Sequence, residues 1–433
     1  MKIGFISLGC SKNLVDTEMM IGLLEKGKIE IVNDPKEAEI IVINTCGFIE
    51  TAKQEAINTI LEMAQYKESG NCKYIVVTGC LVERYKKELQ ESLPEVDMFI
   101  AINEYDKFAE KIEELTKIKL KKCQLQYLDR HITTGKDTAY LKIAEGCSNR
   151  CTYCAIPYIR GPYQSRKMED ILQEAQQLND NGIKEIIVIA QDTTKYGIDI
   201  YGESKLAELL QKLCEFENFK WIRFLYAYPE SITDELIQTI KNNEKICNYF
   251  DIPIQHISDK ILKTMNRKIT GEQIEKIIER IRIQIPDAIL RTSLIVGFPG
   301  ETEEDFQKLY KFVEKAKFNK LGVFEYSKED GTPAEKLKGH ISPKIKNNRW
   351  NKIMELQQHI SEENLKEYIN QEYEVLVEKV TNKYIIGRTK MDVPDMDGLI
   401  YLKNTEPVKI GQFVKGIVTE VKEYDLIGKI KKE

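Results

Sequence analysis

EGCSNRCTYCAIP, residues 145–157, carries Cys147, Cys151 and Cys154 at intervals of four and three. It follows the apolar run TAYLKIAEG, which reads as a strand and so delivers the three thiols at a strand's C-terminal end. In α/β barrels that is the end that carries chemistry. Three thiolates in one loop can hold three irons of a [4Fe–4S] cluster and leave the fourth iron open to chelate a small molecule. Structural zinc asks for four closed ligands, and none of the four histidines, His131, His256, His340 and His359, is spaced near this loop.

Outward from the loop, strand and helix patterns alternate. AYLKIAEG, EIIVIAQDT, KWIRFLYAYP, YFDIPIQH, ILRTSLIVGFPG and KLGVFEYS read as strands, with helices beginning near Asp170, Lys205, Thr233, Thr270 and Thr302 between them. Crossover helices between parallel strands predict a partial (β/α)6 barrel over residues 133–365, with a long helix from Pro343 to about Asn370 against its outside. In IVGFPGETEEDF, Thr302 is the expected N-cap, and the acidic first turn Glu303, Glu304 and Asp305 satisfies the helix dipole and repels phosphate. Gln191, Asp192, Gln255 and His256 are the polar residues expected at strand ends on the same mouth.

On the N-terminal side, residues 1–115 repeat a strand followed by an amphipathic helix, which predicts a doubly wound parallel-sheet domain. A charged stretch ending near Asp137 links it to the barrel. Cys10, Cys46 and Cys80 each close a strand, in FISLGC, VINTCG and VVTGC. Neighbouring parallel strands lie about 4.8 Å apart, so thiols on one sheet edge can converge on a shared ligand despite their separation in sequence. Buried small hydrophobes are the alternative for any single cysteine, but three at equivalent ends beside glycine point to a second cluster. Cys72, Cys123, Cys214 and Cys247 show no such relation and read as ordinary thiols.

Residues 368–433 change character: EVLVEKV, YIIGRT, GLIYLK, QFVKGIVTEV and YDLIGKI are short strands with no helix between them, which predicts a small all-β barrel. Acidic and basic residues balance there, so the domain brings little general phosphate affinity. Its turn MDVPDMDG, with Asp392, Asp395 and Asp397, reads as a solvated acidic loop or a docking surface for a basic protein.

The three-cysteine loop in this barrel resembles that of the radical S-adenosylmethionine (SAM) enzymes. The whole arrangement, together with SLGCSKNLVDTE, IRGPYQSR, IAQDTTKYG, DIPIQHISDKIL, IVGFPGETEEDF and GRTKMDVPDMDGLIYL, resembles the methylthiotransferase family, on the branch that modifies a ribosomal protein. Ser11, where Pro is frequent, and Gln164, where Arg is frequent, depart from the pattern without touching a cysteine. The resemblance implies two [4Fe–4S] clusters, on Cys10, Cys46 and Cys80 and on Cys147, Cys151 and Cys154, and a C-terminal TRAM domain. It further implies SAM contacts from Tyr153, Gln191, Asp192 and the Gly297–Gly300 turn. A basic small-subunit ribosomal protein is the implied substrate, methylthiolated at the β-carbon of an aspartate, with a flavodoxin or ferredoxin as reductant. No general base is identifiable, and the sulfur donor stays open.

The net charge of −5 excludes a global positive field for nucleic acid or anionic lipid. No apolar run is long enough to span a membrane, and a chain with ten cysteines and no leader pattern is expected in the reducing cytoplasm, its thiols free for metal or catalysis. A tRNA adenosine methylthiotransferase and a non-catalytic iron–sulfur ribosome-associated factor remain alternatives at this point.

Overall fold

Strand-forming runs of Ile and Val flanked by amphipathic helices build the first of three units in the computed structural model, which describes residues 1–431 except 28, 121–123 and 406. Strands β1 (Lys2–Ser7), β2 (Glu30–Val32), β3 (Ile40–Thr45), β4 (Tyr74–Gly79) and β5 (Met98–Ile100) form one parallel sheet in the order β2-β1-β3-β4-β5. β1, β3 and β4 are adjacent, with Ser7 opposite Asn44 and Thr45 opposite Gly79, so the three cysteine-bearing ends share one edge. Helices α1 (Ser11–Lys26), α2 (Glu50–Ala64) and α3 (Cys80–Ser92) follow β1, β3 and β4. β3 is buried along its whole length, as a strand covered by helices on both faces must be.

Six parallel strands form the central unit: β6 (Thr138–Lys142), β7 (Glu185–Ile189), β8 (Trp221–Phe224), β9 (Tyr249–Asp251), β10 (Ile289–Val296) and β11 (Lys320–Glu325). β6-β7-β8 and β9-β10-β11 are continuous sheets, and a single bridge, Ile222 to Ile246, connects them. Among the described residues no ladder joins β6 to β11, so the barrel is open, as a partial barrel is. The crossover helices are α4 (Met168–Asp180), α5 (Leu206–Cys214), α6 (Asp234–Lys241), α7 (Gly271–Gln284) and α8 (Glu303–Ala316). The last three start behind Thr233, Thr270 and Thr302, whose side chains accept from the N–H three residues on; at the expected N-cap Thr302, Asp305 also accepts from Thr302 N at 3.0 Å and so completes a capping box. Helix α9 (Pro343–Lys366) packs outside against α8 and β11. Among the described residues no helix is long and apolar enough to cross a membrane.

The third unit is a closed barrel of β12 (Glu372–Val380), β13 (Tyr384–Arg388), β14 (Ile400–Lys403), β15 (Phe413–Val421) and β16 (Leu426–Ile430), ordered β12-β13-β14-β16-β15. It packs on the N-terminal ends of the central strands. There Glu185, at the start of β7, accepts from Arg223 Nε at 2.8 Å and from Arg388 Nη2 at 2.5 Å, with all three side chains buried. Trp221 Nε1 donates to Glu374 at 3.1 Å in the same interface.

The acidic turn is not a docking surface. Asp392 is buried and accepts from Lys320 at 2.7 Å and Thr389 at 2.9 Å, while Asp397 accepts from the Tyr249 hydroxyl at 2.7 Å and Val393 N at 2.9 Å. Only Asp395 remains exposed. The polar turn reads as solvated because its partners, Lys320 and Tyr249, lie far away in sequence on the barrel floor.

Candidate functional site

The first cysteine set sits where β1, β3 and β4 end. Cys10 is the N-cap residue of α1, and Cys80 opens α3, so two of the three thiols stand at helix N-termini, where the dipole favours thiolate. The glycine before each is required by space. Gly9 and Gly79 have φ of 90° and 98°; a Cβ on Gly9 would come within 2.8 Å of Cys46 Cβ, and one on Gly79 within 2.3 Å of Asn44 Oδ1. Crowding by protein atoms pushes the Cys10 thiol up, but Lys12, Arg160 and the N–H groups of Asn13 and Lys12 overcome this and hold it below its ordinary value. Burial pushes Cys80 up to about 12, against the pull of Arg160, and burial raises Cys46 as well. The charges of Cys10 and Cys46 also push the Cys80 thiol up.

The second set lies on the loop after β6. Ala144–Glu145 and Gln164–Ser165 pair antiparallel and close the loop's base. Its backbone is pinned by Cys147 N to Gly161 O at 3.1 Å, Cys154 N to Cys151 O at 3.0 Å and Thr152 N to Met265 O at 3.0 Å. Burial pushes Cys147 up to about 11 and raises Cys154 further. Cys151 Sγ is 3.9 Å from the Tyr228 hydroxyl.

Tyr153 packs beside Ile261, Met265 and Phe298. Gln191 donates to Glu145 at 2.9 Å and keeps its buried Oε1 unpaired among the described residues. Asp192 is fully buried; its carboxylate accepts from Asn149 at 2.8 Å and Thr194 at 2.6 Å, which ties the cysteine loop to the end of β7. Gly297 and Gly300 are both left-handed, with φ of 72° and 81°. A Cβ on Gly297 would strike Lys346 of α9, whereas Gly300 faces open space. His256 is a buried structural histidine: its Nδ1 accepts from Ser258 N at 3.0 Å, and burial lowers its pKa to about 3, so it is neutral. Of the four cysteines read as ordinary thiols, Cys72 and Cys247 are buried and Cys214 half-buried, and Cys123 lies outside the described residues.

The segments that carry the two sets are linked across the junction of the first two units, where Cys80 packs with Ala155 and Ile159. Arg160, six residues after Cys154, donates to Asn13 Oδ1 at 2.6 Å, Asp16 at 2.9 Å and Glu145 at 3.0 Å. Asn13 Oδ1 in turn accepts from Cys80 Sγ at 3.5 Å, and Lys142 donates to Asp16 at 2.5 Å. A second clamp sets Arg84 and Lys53 on buried Glu329 at 2.9 and 3.3 Å. Arg267 is buried over the Tyr228 ring at 4.2 Å, with Nε and Nη1 unpaired among the described residues. None of Asn13, Asp16, Arg160, Arg267 and Glu329 is singled out by the sequence reading. The signal available for the first two was a polar run, KN and DTE, on a helix otherwise apolar on both sides, where buried polar groups need partners.

Among the described residues no three His, Cys, Asp or Glu side chains converge on the position of one metal ion. A four-iron cluster asks for something different, because each cysteine meets its own iron at a separate corner. Three thiols, no fourth ligand and nearby cations fit that group at both sets.

Residues 141–313 match the radical SAM superfamily, residues 2–101 the uncharacterized protein family UPF0004 and residues 369–430 the TRAM domain. The fold is similar to that of TsrM from Kitasatospora setae, a radical SAM methyltransferase solved with cobalamin and a [4Fe–4S] cluster bound, with a TM-score of 0.58 at 13% identity over 77% of this chain and 76% of that one. OxsB, a cobalamin-dependent SAM radical enzyme, gives 0.51 at 15% identity over 83% of this chain and 56% of that one. Fold and domain order define a radical SAM methylthiotransferase.

Curated relatives carry this further. The chain is 60% identical over 434 residues, 99% of each chain, to the ribosomal protein uS12 methylthiotransferase RimO of Alkaliphilus oremlandii. It is 52% identical to the protein of that name from Acetivibrio thermocellus, over 99% of this chain and 98% of that one, and 50% identical to that of Clostridioides difficile, over 99% of each. The chain belongs to the RimO family.

Proposed function

We propose that this chain replaces a β-carbon hydrogen of an aspartate in ribosomal protein uS12 with a methylthio group, using SAM as methyl donor and as radical source. The observation that carries the reading is the interdomain network Cys80–Asn13–Arg160–Glu145, which links the segments of the two three-cysteine sets, in a chain 60% identical to a uS12 methylthiotransferase along its length. Residues 1–115 form the sulfur-handling domain, 133–365 the radical core and 368–433 the TRAM domain.

Cys147, Cys151 and Cys154 would hold a [4Fe–4S] cluster, which would supply one-electron chemistry toward SAM, and Cys10, Cys46 and Cys80 would hold a second, which would supply an iron for sulfur. Tyr153 lies beside the last cysteine and offers an apolar wall for the adenine. Arg267, with unpaired N–H groups near Tyr228 and Cys151, is placed to pair with the SAM carboxylate. Gln191 Oε1 can accept from the cofactor, Gly300 leaves open space for it, and Asp192 acts by fixing the loop. Arg160 and Asn13 hold the two cysteine sets in register, so that the carbon radical forms within reach of the sulfur. A flavodoxin or ferredoxin delivers electrons, and the reaction belongs in the cytoplasm with its ribosomal substrate.

The test is anaerobic reconstitution with iron, sulfide, SAM and reductant, followed by mass spectrometry of uS12 and of tRNA. The reading requires a methylthio group on uS12 alone. Modification of tRNA adenosine in its place would overturn it.

A further inference from the structure

Lys12 is a buried cation, 6% exposed, that no carboxylate neutralises among the described residues. Its neighbours differ. Lys142 and Arg160 share Asp16 and Glu145, and Arg130 is held by Glu18 and Glu174. Lys12 instead places its ammonium 3.2 Å from the centroid of the Tyr226 ring. A buried ammonium that lies on a ring face near the Cys10 sulfur, with no carboxylate partner among the described residues, can receive one.

Tyr226 is itself held in an uncommon conformation. Its φ is 63°, in the left-handed region that a bulky residue adopts only under strain, and such outliers gather at functional sites. The backbone is fixed on both sides: Tyr226 N donates to Asp251 at 3.0 Å, and Tyr226 O accepts from Thr193 N at 3.2 Å. The ring is thereby locked under the lysine.

The position matters as much as the charge. Lys12 stands two residues after Cys10, in the first turn of α1. Tyr226 stands two residues before Tyr228, whose hydroxyl is 3.9 Å from Cys151 Sγ. The ammonium therefore joins the first turn of α1, just after Cys10, to the segment that follows β8, at the positive end of the α1 dipole.

We propose that Lys12 is the substrate-binding residue that receives the carboxylate of the aspartate to be modified, holding that side chain between the two cysteine sets. The inference rests on the function proposed above. An aspartate side chain entering a buried site must keep its charge compensated or lose its hydration at heavy cost. Lys12 and Arg267 then divide the work: one cation for the substrate carboxylate, the other for that of SAM.

The test uses the reconstituted enzyme and two forms of uS12, the natural protein and one with the target aspartate changed to Asn, which removes the charge and keeps the shape. Binding is read by fluorescence anisotropy, with iron content and circular dichroism as checks on integrity. The wild type should prefer the aspartate form by about tenfold to a hundredfold, the range of a hydrogen bond to a charged group. Lys12→Gln should bind both forms equally, at the weaker affinity, whereas Lys12→Arg should keep a preference. Discrimination undiminished in Lys12→Gln, or lost equally in Lys12→Arg with iron intact, would overturn the assignment while leaving the proposed function standing. Failure of the wild type to modify uS12 at all would remove the function and this inference together.

Discussion

Arg160 donates to Asn13 Oδ1 at 2.6 Å, and this bond crosses from the cysteine-bearing segment of the barrel to the helix that starts at Cys10. The same guanidinium pairs with Asp16 at 2.9 Å and Glu145 at 3.0 Å, all of it out of water except the edge of Glu145. A planar fork can serve three oxygens in fixed directions, which a lysine ammonium on a flexible stem cannot reproduce.

Arg160→Met leaves Asp16 with Lys142 as its remaining partner and Asn13 Oδ1 with only the longer contact from Cys80 Sγ. Breaking a buried pair from one side costs about 3–5 kcal/mol. Thermal unfolding should start lower, and limited proteolysis should cut the connection around residues 117–137 sooner. The change should also slow product formation more than SAM cleavage, because it loosens one cysteine set relative to the other. Unchanged proteolysis and melting would show that the network does not hold the domains.

Arg267→Met removes a buried guanidinium with two unpaired N–H groups beside Tyr228. If that group meets the SAM carboxylate, SAM affinity should fall by about tenfold or more while iron content stays constant. Equilibrium dialysis with labelled SAM checks this. Equal affinity in the variant would place the carboxylate elsewhere.

Acid should destabilise the protein in two stages. His256 titrates near 6.5 when unfolded but only at about 3 when folded, because burial disfavours its charged form. Protons therefore bind the unfolded chain first, and stability declines as pH falls below about 6.5. Glu185 is buried, which by itself would raise its pKa, yet Arg388 and Arg223 hold it down to about 2. Its contribution, on the order of 3 kcal/mol, is present above about pH 4.5 and lost between there and about pH 2. Urea unfolding across this range should show both limbs. Glu185→Gln should flatten the lower limb and lower stability at neutral pH, where buried Arg223 loses its carboxylate and Arg388 keeps only Glu378.

Much of the fold is legible in the sequence. Strands as apolar as IIVIN and helices with clear 3.6 periodicity announce themselves, and the three N-terminal cysteines follow adjacent strand ends on one sheet edge. The three-residue strands Glu30–Val32 and Met98–Ile100 are too short to carry a period. The interdomain clamps were hidden for a different reason: Asp16 meets Arg160 across 144 positions, and Arg84 meets Glu329 across 245, so neither residue's surroundings reveal its partner. Asp392 and Asp397 mislead in the same way, since local polarity reads as exposure until Lys320 and Tyr249 arrive.

The central claim is that radical generation and sulfur delivery belong to different cysteine sets, and it is tested by comparing two triple alanine variants after reconstitution. Each should hold about four irons per chain against about eight for the wild type. Changing Cys147, Cys151 and Cys154 should abolish 5′-deoxyadenosine release. Changing Cys10, Cys46 and Cys80 should leave the separately cored barrel folded, as circular dichroism must first establish. The decisive measurement is then 5′-deoxyadenosine and modified uS12 quantified together in that second variant. The account predicts continued SAM cleavage with no methylthio product; methylthiolated uS12 from a folded protein lacking Cys10, Cys46 and Cys80 would contradict it.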